Sequence, residues 1–454
     1  MLFLKLLTLI ASLFAIYPLY KFAKKDEINI FDLVILFHTI FFCLAPVVSD
    51  ASAYQFLKGF SFEENIILKI FVYYVIVLFC LLMIDVFWTK HYKYTKSILN
   101  ITYYVKTLPQ IEISWIFIIF LFINLIISWF WYLPQTSILE AFSNYYDSQG
   151  YTKTPLYLLY GIIFTLCFSF TLILILKEKY SFKVSVLLLF ILIGFALVLL
   201  FMPRRIMLYY LILALVIIYS VRRDFFTIKK NSIIVLILLV VLKVYFPFYN
   251  VMRRSDVKID KDNFVSSLIH IVKDSTNSFN SKKEQATETT KGRSLNLYYA
   301  LYRIIKFDKS PNNGGLLIAA IDHAIPKFIN PNKGMGTEKL LQKKMYLKTD
   351  QADSILILAY GDFGLIVGAF YSFILFLLII SIYVLFYRLN LSIFNFGSTF
   401  DILLIVYLIS FAWNVEQKLD ASFASFVHLS IMSLLLMLLN RFNIIRYRNI
   451  PLQK

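Results

Sequence analysis

Apolar runs long enough to cross a hydrocarbon core, which takes about 20 residues, recur along this chain between short polar connections. They predict helical spans over 2–20, 28–48, 66–88, 113–133, 154–176, 184–202, 206–221, 232–248, 354–387, 402–413 and 423–439. The expected fold class is therefore all-α: a polytopic membrane helix bundle of about eleven transmembrane helices. The run over 354–387 is too long for one untilted span. Gly361-Asp362-Phe363-Gly364 is expected to divide it into a re-entrant piece and a span. The first run lacks a small-x-small cleavage site and reads as a retained helix.

The pattern breaks once. From Asn250 to Asp353 the chain stays mostly polar, far beyond ordinary connection lengths, and loops that long are usually functional or disordered. The chain thus divides into residues 1–249 with about eight spans, a large external loop over 250–353, and residues 354–454 with about three spans. Within the loop, 264–272 is amphipathic and 275–290 is rich in Ser, Thr, Asn, Lys and Glu. Leu297, Tyr298, Leu301, Tyr302 and Ile305 fall at helical spacing, which predicts a helix over 295–305 lying on the membrane surface. Further short helices are expected over 314–324 and 337–345, separated by Pro326, Pro331 and Gly334.

Charge sets the orientation. The chain is 60% hydrophobic and 16% charged, against about a quarter charged for a soluble domain. The net charge of +18 is read as topology, since no nucleic-acid motif accompanies it. Lys21, Lys24 and Lys25 follow the first span; Lys90, Lys93, Lys96 and Lys106 the third; Lys177, Lys179 and Lys183 the fifth; Arg222 and Arg223 the seventh. Basic residues thus follow alternate spans, which puts the N-terminus outside and the C-terminus in the cytoplasm under the positive-inside rule. Cys43, Cys80 and Cys167 lie in apolar runs and read as inert thiols.

Two arginine pairs break that sorting. Arg204-Arg205 and Arg253-Arg254 fall on the outer face, where positive charge has a topological cost that a function would offset. Guanidinium groups donate paired hydrogen bonds to phosphate, so these residues and Arg293 are candidates to bind a pyrophosphate. Asp350 and Asp353 lie where the loop re-enters the membrane, and Asp322, His323 and Glu338 lie within it. Asp353, His323, Glu338 and Asp350 are the candidate bases for activating a hydroxyl. Glu416, Asp420 and His428 lie in or near the last outward connection. Asp32 and Lys69, near span ends, are expected to snorkel or pair. Asp362-Phe363-Gly364 matches a kinase magnesium motif but lacks its partners and reads as a helix break. Asp260-Lys261-Asp262 is a weak acidic triplet, and no metal or cofactor set is expected.

The architecture resembles the Wzy-type O-antigen and capsular oligosaccharide repeat-unit polymerases. The residues that carry the resemblance are Pro203-Arg204-Arg205, Phe248-Tyr249-Asn250-Val251-Met252-Arg253-Arg254, Lys291-Gly292-Arg293 and the 325–333 stretch. Thr349-Asp350-Gln351-Ala352-Asp353-Ser354 and Tyr360-Gly361-Asp362-Phe363-Gly364 complete it. An Arg, ten residues, then Gly motif occurs once, from Arg303 to Gly314. The resemblance implies undecaprenyl-pyrophosphate-linked oligosaccharides as substrates and joining of repeat units at the outer face of a bacterial cytoplasmic membrane. It also implies chain-length-regulator and flippase proteins as partners, with no nucleic acid. The five arginines would then bind pyrophosphate without metal. An O-antigen ligase is the nearest alternative, and a lipid-linked oligosaccharide flippase or a non-catalytic membrane subunit are further ones. Flippases tend toward repeated halves, and no internal repeat is visible here.

Overall fold

A computed structural model of the chain describes residues 2–24, 26–39, 42, 63–91, 99–101, 105, 115–132, 155–177, 181–200, 204–222, 297–307, 311–325, 330–344, 354–390, 398–413, 415 and 419–441. Among them the structure is helical, with no strand beyond an isolated bridge between Asn29 and Asn100. The helices are α1 (Leu2–Ser12), α2 (Ile16–Ala23), α3 (Ile30–His38), α4 (Glu64–His91), α5 (Trp115–Tyr132), α6 (Pro155–Lys177), α7 (Phe182–Leu200) and α8 (Arg204–Val221). They continue with α9 (297–307), α10 (Gly315–Ala324), α11 (Thr337–Lys344), α12 (Ile355–Phe363), α13 (Leu365–Leu389), α14 (Ser398–Trp413) and α15 (Leu419–Arg441).

Three of these are long and apolar enough to cross a membrane: Glu64–Phe87, Phe182–Leu199 and Leu365–Leu389. Shorter apolar helices accompany them, so the described residues support a helical membrane protein, and the expected count of about eleven spans is not confirmed among them. Their apolar surfaces show why such helices need lipid. In α7 only one stripe (Leu188, Ile191, Phe195, Val198 and Leu199) is buried, while Val186, Leu189, Phe190, Ile193 and Leu197 face outward. A soluble helix would carry polar side chains on that outer face.

The chain forms two compact units. The first joins Met1–Tyr104 to Lys291–Leu435; the second comprises Val105–Thr290 and Leu436–Lys454. In the second unit, α5 to α8 pack as neighbours. Gly194 of α7 lets Leu125 of α5 approach, since a Cβ there would lie 2.6 Å from the leucine Cδ2. Phe164 meets Phe195 edge to face, with 5.1 Å between ring centroids, inside the range of about 4.5–7 Å usual for aromatic pairs. Thr165 Oγ1 and Tyr210 Oη are 2.6 Å apart and tie α6 to α8.

The first unit is organised around a helical hairpin. α12 and α13 are separated by Gly364, whose φ of +74° suits glycine alone. Tyr73 Oη of α4 donates to the Leu356 carbonyl at 2.8 Å and lies 2.7 Å from Ser372 Oγ. Leu356 and Ser372 stand equally far from Gly364 along the chain, so α12 runs back along α13. Close packing requires Gly368: a Cβ there would sit 2.8 Å from the Ala359 carbonyl oxygen. The division expected at Gly361-Asp362-Phe363-Gly364 is thus present, and Ser354 caps the start of α12 by accepting from the Ile357 N–H at 3.2 Å.

The loop helices roof the hairpin tip. α10 and α11 match the expected 314–324 and 337–345 closely. The helix expected on the membrane surface over 295–305 is instead buried: in α9, Leu297, Ala300, Leu301, Tyr302 and Ile304 are all fully enclosed. The residues between the hydrophobic stripe are also covered, because α9 packs against other elements. Tyr302 Oη accepts from the Glu63 N–H at 3.0 Å, and Lys306 Nζ lies 2.5 Å from Glu63 Oε1. Ile304 and Leu316 both abut Gly361, where a Cβ would come within about 3 Å of each side chain.

Candidate functional site

Polar side chains of the first unit gather at two levels of α4. One lies at its start, around Glu63, Tyr302 and Lys306. The other lies near its end, at Asp85. From Glu64 to Asp85 the helix rises about 30 Å at about 1.5 Å per residue, close to the thickness of a hydrocarbon core.

The level near the hairpin tip is built on Asp362. Its carboxylate is fully buried and accepts from the N–H groups of Leu316 (2.9 Å) and Leu317 (3.2 Å), the opening turn of α10. Its backbone carbonyl accepts from Asn313 N–H at 2.9 Å. A carboxylate at a helix N-terminus satisfies orphan donors and complements the helix dipole. The Asp-Phe-Gly triplet therefore closes a structural joint. Asn313 (φ 50°) and Gly314 (φ 87°) make the left-handed turn that delivers α10 to this cap.

The far end of α10 carries the most suggestive chemistry. His323 Nδ1 lies 3.2 Å from Asp420 Oδ2, in the first turn of α15. The histidine side chain is 46% exposed and the aspartate 14%. Asp420 is fixed further by the Ala421 N–H, which donates to Oδ1 at 2.8 Å. The adjoining residues 330–336 contact α10 at Asp322 and His323. Asp322 accepts from Asn330 Nδ2 and from the Gly334 N–H at 3.1 Å, and Lys333 Nζ donates to the His323 carbonyl at 2.5 Å. Gly336 lies against the imidazole: a Cβ there would sit 3.2 Å from Cδ2, so the ring would have to shift slightly to admit it. With the carboxylate at Nδ1, the neutral ring can hold its proton there and leave Nε2 as an acceptor. An imidazole so oriented can take a proton from a hydroxyl.

The other expected site residues distribute as follows. Glu338 lies in the first turn of α11 and accepts from Gln342 Nε2 at 3.2 Å, within its own helix. Arg204 and Arg205 open α8 in the second unit. Arg253, Arg254, Arg293, Asp350 and Asp353 lie outside the described residues, as does Asp260-Lys261-Asp262. Arg303 donates to Tyr299 Oη at 3.0 Å and sits 4.8 Å from the Phe307 ring centroid. The Glu63 carboxylate, bonded to Lys306, holds that ammonium above its ordinary range. The sequence pattern alone does not specify the pairing of His323 with Asp420. Its signal was the loop parity, which already put both segments on one face.

At the other level of α4, Lys21 Nζ bridges two buried carboxylates, Asp32 at 2.9 Å and Asp85 at 2.8 Å. Asn29 exchanges capping bonds with Asp32, its N–H donating to Oδ2 and its Oδ1 accepting from the Asp32 N–H, both at 2.9 Å. Asn29 Nδ2 also donates to Asp85, and Asn100 Nδ2 to Glu27. The expectation that Asp32 would pair is met. Among the described residues no group of three or more His, Cys, Asp or Glu side chains is arranged to hold a metal.

Comparison with protein-family models, with curated proteins and with solved structures found no match to this chain.

Proposed function

We propose that this protein is a polymerase that joins undecaprenyl-pyrophosphate-linked oligosaccharide repeat units into an O-antigen or capsular polysaccharide at the outer face of a bacterial cytoplasmic membrane. The observation that carries the reading is the His323–Asp420 pair, assembled from the long polar segment and the first turn of α15. An acceptor hydroxyl, deprotonated by His323 Nε2, attacks the anomeric carbon of the donor sugar. The new glycosidic bond forms as the bond to the pyrophosphate oxygen breaks, and undecaprenyl pyrophosphate leaves. Asp420 stabilises the imidazolium that results, and the C-terminal end of α10 favours the same charge. Glu338, Asp350 and Asp353 remain candidates for the base. Arg204, Arg205, Arg253, Arg254 and Arg293 would receive the leaving diphosphate, since preorganised donors stabilise charge as it develops.

The test uses the full chain in nanodiscs with an undecaprenyl-pyrophosphate-linked oligosaccharide. Release of undecaprenyl pyrophosphate and growth of the glycan are measured together. His323→Gln should slow both by about 10²–10⁴-fold, the usual range for a general base, while retaining the wild-type melting temperature. An unchanged rate would remove His323 from the chemistry. Release that requires a lipid core acceptor would make the protein a ligase, and lipid translocation without release would make it a flippase.

A further inference from the structure

One patch on the roof of the hairpin is apolar and exposed. From Gly315 to Ile321, α10 carries no polar side chain. Leu316 and Ala320 turn inward and are buried. Ile318 is 69% exposed and Ile321 44%, and their spacing puts them on one helix face. Met335, 60% exposed, joins them: its neighbours Gly334 and Gly336 contact Asp322 and His323, so it stands beside the end of α10. α11 follows directly and exposes Lys339 and Lys343, one helical turn apart and so on one face.

The hairpin fixes the height of this patch. The opening turn of α10 bonds to Asp362, just before Gly364. The candidate span Leu365–Leu389 starts directly after Gly364, and Ile366, Val367 and Phe370 in its first turns are exposed. The lipid-facing surface of α13 begins with those side chains, so α10 stands at the edge of the hydrocarbon layer.

We infer that α10 and α11 dock on the bilayer surface, with Ile318, Ile321 and Met335 at the boundary of headgroups and acyl chains and Lys339 and Lys343 on anionic headgroups. A helix facing water carries polar side chains on its outer side. An interfacial helix instead sinks an apolar face about 5–10 Å into that boundary and gains from basic residues beside it. Lysine suits the rim, because its stem lies along apolar surface while its ammonium stays with the headgroups. The surface helix that the sequence predicts over 295–305 is enclosed as α9, and α10 takes that place. His323 follows Ile321 by two residues, about 200° around the helix, which turns it away from the lipid and toward Asp420. The inference does not rest on the polymerase reading or on which leaflet is involved.

The full chain, with Cys43, Cys80 and Cys167 replaced by alanine, would carry a nitrobenzoxadiazole label at Ile318→Cys in phosphatidylcholine nanodiscs. The same label at Ile366→Cys, on the lipid-facing side of α13, is the reference. Melting curves would show that each labelled chain is folded. Lipids with a doxyl group near the headgroup end of the acyl chain should quench both labels, and aqueous acrylamide should quench neither. Doxyl-labelled phosphatidylglycerol should quench the label at Ile318→Cys as if enriched about fivefold over doxyl-labelled phosphatidylcholine, the ratio that about 1 kcal/mol of headgroup attraction gives. Lys339→Gln/Lys343→Gln should abolish that preference. Quenching at Ile318→Cys by acrylamide and not by lipid would overturn the inference. Protection from both quenchers would overturn it too, and would mean that protein, such as a second copy of this chain, covers the patch. A preference for phosphatidylglycerol that is absent, or that survives loss of both lysines, would overturn the assignment of the lysines to headgroups.

Discussion

At the scale of single residues, three side chains do separable work. His323 is about half exposed, paired with Asp420 and flanked by Gly336, so its replacement should lower turnover with little loss of stability. Asp362 is the reverse. Asp362→Ala would leave the Leu316 and Leu317 N–H groups without their acceptor in a closed joint. A loss of about 1–3 kcal/mol is expected from such unsatisfied groups, visible as a lower melting temperature in detergent. Lys21 is a third case. Lys21→Met would remove the cation that bridges Asp32 and Asp85, both almost wholly buried, and leave each carboxylate with its Asn29 hydrogen bond but without that charge. Breaking a buried ion network from one side costs about 3–5 kcal/mol, so this variant should show the largest drop in folded yield; near wild-type yield would mean the carboxylates find other partners. None of these pairings is adjacent in sequence. Asp362 meets residues 45 and 46 positions away, and no local pattern encodes such a meeting. Composition identified the charged residues as unusual in an apolar chain, but only the fold names their partners.

At the scale of elements, the hairpin of α12 and α13 holds the polar roof in place. Gly368→Val should open it, because the added atoms meet the Ala359 backbone oxygen, which cannot rotate away. Overpacking of this kind costs about 1–3 kcal/mol. A lower melting temperature in detergent would report the opening, and an unchanged one would show that the hairpin accommodates the bulk. The break between the two helices was legible, since Gly361 and Gly364 flank an acid inside an apolar run. The reversal of chain direction was not, because apolar periodicity is the same for a helix that continues and one that folds back. The starts of α10 and α11 were legible for a related reason: Gly314 and Thr337 follow Pro and Gly punctuation. The burial of α9 was missed. Its apolar stripe was visible in sequence, but Ala300 and Ile304 lie off that stripe and are covered only through contacts with distant elements.

At the scale of the whole molecule, helix parity is the property most open to test. In the first unit, charged side chains gather at each end of α4. Glu63 and Lys306 share one end, and Lys21, Asp32 and Asp85 share the other. The alternation of basic connections in the sequence predicts that the Lys21 end faces the cytoplasm. Cysteine placed at Asn332 should react with a membrane-impermeant maleimide from outside the cell. Cysteine at Lys24 should react only after permeabilisation. The opposite result would place the candidate site in the cytoplasm and exclude chemistry at the outer face. What the sequence could not supply at this scale is the number of crossings, because helices shorter than a full span and a helix that folds back both carry the same apolar signal.

The most direct measurement is glycan laddering in a strain deleted for the gene and complemented with wild type, His323→Gln or Arg253→Ala/Arg254→Ala, at matched membrane levels of each protein. The account predicts that deletion reduces the ladder to single repeat units on the lipid core, and that wild type restores it while neither variant does. An unchanged ladder in the deletion strain, or full restoration by both variants, would contradict it.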